Sequence, residues 1–159
     1  MQAEALANYE AETDAEKKLE YQQQYLDYSN EILDVQLEMV ETEKTRLELL
    51  QEQQSILDQR IGLADSLLNY ALQRAQAEKG SALTEQETLD IQKKFYAQQW
   101  EIYKLQKANI DAQLVAAGID KPRVDDVEYL ATLTAEQLQL LQEEYNISGK
   151  VYESFNKLN

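Results

Sequence analysis

YQQQYLDYSNEILDVQLEMVETEKTRLELLQEQQSILDQRIGLADSLLNYALQRA, residues 21–75, carries the periodicity that decides the fold. It lies within a longer stretch, Ala3 to Lys79, that contains no proline and one glycine, Gly62. Read as one helix, that stretch is about 75 residues and roughly 115 Å long. An uncapped periodic run of this length points to a coiled coil or a helical array. Tyr21, Tyr25, Tyr28, Ile32, Val35 and Met39 are spaced 4, 3, 4, 3, 4, the a/d pattern of a supercoiled seam. Leu47, Leu50, Gln54, Leu57, Ile61, Ala64, Leu68, Ala71 and Ala75 form a second seam, broken only by Gln54. The two are offset by one residue, and the pattern lapses from Glu41 to Arg46. Within a continuous helix such a slip changes the local winding.

Each half carries a further stripe. Leu19, Leu26, Leu33, Val40 and Leu47 recur every seven residues, as do Leu49, Ile56, Leu63 and Tyr70. One stripe serves one neighbour, so a helix with two stripes touches at least two others. The expectation is a bundle of three or more helices.

Beyond Lys79 the caps are explicit. Gly80 suits a left-handed helix end, and Thr84 with Glu87 forms a capping box for a second helix. That helix runs to about Ala117, with Gly118 past its end and Leu114–Ile119 as the apolar pair of a Schellman ending. Leu89, Tyr96, Trp100, Tyr103, Ile110 and Leu114 line one side, while Ile91, Phe95, Ile102 and Leu105 line the other. The helix should therefore be sandwiched. Pro122 predicts an extended connection, and Asp125 or Asp126 a cap for a short turn through Leu130. Thr134 and Gln137 form a second capping box, stapled by Leu133 and Leu138, for a last helix over 135–157. Leu138, Leu141, Tyr145, Tyr152 and Phe155 mark one of its faces, and Gly149 suggests a break near Ser148.

Lengths then predict topology. Folded back at Gly80, the second helix spans about 51 Å and reaches residue 45, where the first changes register. Paired positions sum to about 163, setting Leu68 near Phe95, Ile61 near Ile102 and Leu50 near Leu114. The expected hairpin core is Leu50, Leu57, Ile61, Leu68, Phe95, Trp100 and Ile102, with Gly62 making room for Trp100. The fold class is all-α: an elongated hairpin or bundle with a long N-terminal coiled-coil helix. Residues 1–44 form the coiled-coil arm, 45–117 the antiparallel hairpin, 118–134 the connector and 135–159 the C-terminal helix. The arm has no intrachain partner of sufficient length. Its seam, Tyr21, Tyr25, Tyr28, Ile32, Val35 and Met39, is the expected oligomer interface.

Composition narrows the chemistry. The absence of histidine excludes histidine-dependent triads and histidine metal sites, and the absence of cysteine excludes thiolate zinc and disulfides. The four glycines stand alone, so there is no phosphate loop. Asp120, Asp125, Asp126 and Glu128 cluster near a loop without EF-hand spacing, and read as caps and solvated acids. No catalytic, cofactor-binding or metal-binding residue is expected, and no cofactor. The net charge is −15, of which residues 1–60 carry −10. Such a surface repels phosphate and anionic lipid, so no nucleic-acid partner is expected. The longest apolar run, Leu114 to Ala117, is far too short to span a bilayer, and Met1 to Glu4 opens no secretory signal.

Lys79-Gly80-Ser81-Ala82-Leu83-Thr84-Glu85-Gln86-Glu87 joins two glutamine-rich helices and is followed by Phe95-Tyr96-Ala97-Gln98-Gln99-Trp100. Over residues 45–141 this resembles the helical hairpins of phage tail tape-measure proteins. The resemblance implies a helical, oligomeric virion component, here a segment or a smaller tail protein, and no functional residues carry over. The expected function is that of a non-enzymatic structural or assembly protein. It would form a homo-oligomer, join other structural proteins, and reside in the virion if the resemblance holds or otherwise in the cytoplasm. The alternative is an acidic helical adaptor or chaperone-like module that binds a basic protein.

Overall fold

The computed structural model describes residues 3–4 and 15–158, and these are all-α. Helix α1 spans Ala15–Glu38, α2 Glu43–Lys79, α3 Glu85–Ala116, α4 Val127–Leu130 and α5 Ala135–Asn156. The long helices run alternately up and down, and each packs chiefly on its neighbour in the chain.

The expected continuous first helix is two helices. Residues 39–42 turn the chain back, and Thr42 caps α2 by accepting the Thr45 amide at 3.3 Å. The apparent register slip is thus a corner, and the offset between seams is the offset between two antiparallel helices. The coiled-coil arm over 1–44 is corrected accordingly. From Ala15 onward α1 lies along α2 and has an intrachain partner, while residues 1–2 and 5–14 fall outside the described residues. Leu26 and Leu33 are buried against Ile56 and Leu63, with Leu19, Tyr25 and Leu49 at the margin. The seven-residue stripe makes this contact, and Tyr25 alone joins it from the 4-3 seam. Arg60 pairs with Asp27 at 3.1 Å and Arg74 pairs with Glu16, as the antiparallel register places them.

The turn between α2 and α3 follows the caps. Gly80 takes φ 77°, and the Thr84–Glu87 box forms, with Lys79 bonded to Glu87 at 2.5 Å. Gln106 donates to Asp58, Gln99 to Asp65, and Asn109 to Gln53 at 3.0 Å. These pairs place the hairpin register at the expected sum of about 163. Gly62 does not make room for Trp100: a Cβ there would meet nothing within 4 Å. Trp100 packs instead on Phe155 of α5, with ring centroids 5.4 Å apart and the planes tilted by 50°.

Gly118 ends α3 at φ 79°, and Ile119 donates to the Leu114 carbonyl at 3.0 Å. The connector is not extended at Pro122. It forms a 3-10 turn over Lys121–Arg123, with proline in the first turn, where no N–H is needed. Asp126 caps α4, and the buried Tyr129 accepts the Asp120 amide at 2.6 Å. The chain then returns along α3. Leu140 packs with Leu114 and Ile119, and Gln137 donates to the Ala117 carbonyl at 2.9 Å. Helix α5 is unbroken at Gly149. Residues Gln53, Ile56 and Arg60 on one flank of α2 face α1, whereas Gln51, Gln54 and Asp58 on the other border a cleft shared with α5. The two outer helices therefore approach the hairpin from opposite sides.

Candidate interaction surface

Helix α1 is amphipathic twice over, and the chain uses only one of its stripes. With Leu26 3% and Leu33 4% exposed, the 4-3 seam is rotated outward. Ile32 is 43%, Val35 54% and Met39 69% exposed, while Tyr21, Tyr25 and Tyr28 are half-buried. Tyr25 alone among them shares in the α1–α2 cluster. The α5 stripe is outward in part, since Leu141 packs on the Leu114–Ile119–Leu140 cluster and Phe155 touches Trp100. Leu140 and Ser154 are buried against the hairpin, whereas Leu138, Tyr145, Tyr152 and Phe155 are exposed.

Of the seven residues expected in the hairpin core, Leu50, Leu57, Leu68 and Ile102 are buried, and Ile61, Phe95 and Trp100 are half-buried. Leu105 of α3 stays 47% exposed because α1 leans on α2 and leaves a groove between α1 and α3.

Between α2 and α3 lies a polar seam that leucine counting does not reveal. Gln53, Gln99, Gln106, Asn109 and Gln113 are all buried. Gln113 donates to Asn109 at 2.6 Å, Asn109 to Gln53 at 3.0 Å, and Gln53 to Asp34 of α1 at 2.6 Å. Asn109 and Gln53 thus each donate with the nitrogen and accept with the oxygen, and the chain ends on a carboxylate, the strongest acceptor available. The available signal is the spacing: Gln92, Gln99, Gln106 and Gln113 recur every seven residues.

Charge is placed at the edges. Burial pushes the Asp27 carboxyl up; Arg60 opposes this and Glu31 adds to it. Burial would also raise Asp111, but hydrogen bonds from Lys121 and Lys107 outweigh it and hold that carboxyl below the usual range. Lys121 bridges Asp111 at 2.9 Å and Glu144 at 2.8 Å, and both hold its ammonium pKa up. This clamp ties the connector to α3 and α5.

The cleft between α2 and α5, about 550 Å³, is walled largely by amides and acids, including Gln51, Gln54, Asp58, Gln137 and Glu143. Among the described residues no group of three or more acids could hold a metal ion, and no helix is long and apolar enough to cross a membrane. No family model, curated protein or solved structure matches this chain.

Proposed function

We propose that the protein is a non-enzymatic assembly component that self-associates through the outward face of α1. One observation carries the reading. Ile32, Val35 and Met39 lie 43%, 54% and 69% exposed on a helix that has already met its own packing needs with another stripe. A regular seam left open beyond what the fold requires is a surface for a partner. In the setting implied by the tape-measure resemblance, the assembly would belong to a phage tail or virion. The acidic balance of −15 supports a second reading, a monomeric adaptor whose grip on a basic protein weakens with salt.

Sedimentation equilibrium over a range of concentrations tests the first reading. The expected result is a mass above 18.4 kDa that falls to the monomer in an Ile32→Lys, Met39→Glu variant of unchanged helix content. A wild-type chain that stays monomeric at all concentrations overturns it.

A further inference from the structure

One stripe of α5 is itself a 4-3 seam: Leu138, Leu141, Tyr145, Ser148, Tyr152 and Phe155 are spaced 3, 4, 3, 4, 3. Leu138, Tyr145 and Tyr152 point outward, while Leu141 leans on the Leu114–Ile119–Leu140 cluster and one side of Phe155 lies on Trp100. No charged residue interrupts it, in a chain that is 28% charged. Tyr145 is 81% and Tyr152 69% exposed, although the helix has already buried Leu140 and Ser154. The molecule therefore ends on both flanks in an open seam.

The two seams sit at the same height. One level can be followed through hydrogen bonds from Asp34 of α1 to Gln53 of α2 and Asn109 of α3. The α3–α5 register, set by Gln137 on Ala117 and Phe155 on Trp100, carries that level to Tyr145. Val35, beside Asp34, is thus level with Tyr145. The seam at 21–39 is level with the one at 138–155. Because α1 and α5 run antiparallel, a copy placed alongside without rotation continues the up-and-down alternation. Val35 and Met39 then meet the leucine end of the α5 seam, and Tyr25 and Tyr28 meet its aromatic end. Together the two seams expose on the order of 1,000 Å² of side chain once the half-buried tyrosines are counted.

Resting on the assembly reading above, we infer that the occupant of the α1 seam is the α5 seam of a second copy. The contact joins two different surfaces, so every bound copy still offers one of each. Such a contact propagates into a ring or filament instead of stopping at a dimer.

Cysteine pairing tests this cleanly, since the chain has no cysteine of its own. Val35→Cys and Tyr145→Cys are made singly and together in the full chain; both positions are exposed, and circular dichroism verifies the helices. Under mild oxidation the double variant is expected to give a ladder of covalent trimers and larger species. Within one chain the two sites lie on opposite flanks and cannot join. If Val35→Cys alone gives efficient dimers and the double variant nothing larger, α1 pairs with α1. That overturns this inference and leaves self-assembly standing. If no variant cross-links and the wild-type chain sediments as a monomer, both fail. Tyr152→Lys supplies an arm without cysteine, expected to lower the mass as the Ile32→Lys, Met39→Glu variant should. An unchanged mass overturns the pairing.

Discussion

The contact between α1 and α2 and the contact between α2 and α3 are built differently. The first is a dry row of Leu26, Leu33, Ile56 and Leu63, flanked by ion pairs at Asp27–Arg60 and Glu16–Arg74. The second mixes Leu50, Leu57, Leu68, Ile102 and Ile110 with a ladder of buried amides. Leucines are interchangeable along a helix, so they supply burial without dictating alignment. Amides are not, because a slip of one turn would leave buried donors and acceptors unpaired. The hairpin is thus the part of the molecule whose alignment is specified. Helix α1 is an outer layer, held by one stripe and pinned at Gln53–Asp34.

The largest expected effect separates these two roles. Leu57→Ala removes a core side chain from the hairpin and should cost about 2–5 kcal/mol, felt by all the long helices together. Leu26→Ala removes an equally buried leucine, but hydrogen exchange should show α1 amides opening while α2 and α3 stay protected. Equal loss of protection everywhere after Leu26→Ala would dissolve the distinction. Next in size, Asn109→Ala strands the Gln53 oxygen and the Gln113 nitrogen and should cost about 1–3 kcal/mol in a denaturant titration. A cost below about 0.5 kcal/mol, the level of an ordinary surface change, would mean the ladder does not specify the hairpin.

The smallest effect has opposite signs in the two regions. Asp27 has its folded pKa raised, so its contribution favours the fold below the ordinary carboxylate range and is lost as pH rises through the folded value. Asp111 has its folded pKa lowered, so its contribution is present above 3.8 and lost as pH falls through the folded value. Melting at pH 7 should therefore find Asp27→Asn no less stable than wild type and Asp111→Asn less stable. Both differences should shrink on acidification and stay under about 1 kcal/mol, since neither group is fully enclosed. Differences of the same sign would refute the assignment.

Much of the fold was legible because its signals are local. Thr84–Glu87, Thr134–Gln137, Gly80 and Gly118 mark their helix ends through backbone chemistry that needs no tertiary context. The corner at 39–42 was not legible as a turn. It has neither glycine nor proline, and its only cap is a threonine inside a run of good helix formers. Missing it hid the partner of α1 and made the seam look like the sole contact of an arm. The choice between stripes was also hidden, since periodicity names the faces of a helix without saying which one a neighbour takes. Gly62 and Gly149 were overread: both sit in unbroken helix with open space around them. The amide ladder was missed because glutamine is ordinarily a surface residue, and only its seven-residue recurrence on α3 betrays it.

Trp100 is the only tryptophan, and its ring lies against Phe155 of α5 with the Lys104 ammonium 3.7 Å from its centroid. Its fluorescence is therefore a built-in probe of one junction, the docking of the last helix on the third, and is remote from α1. Far-ultraviolet ellipticity, by contrast, counts every helix. An optical melt recorded both ways would resolve the layers of this protein without a label. Ellipticity should begin to fall while the indole signal holds if the outer helix peels away first.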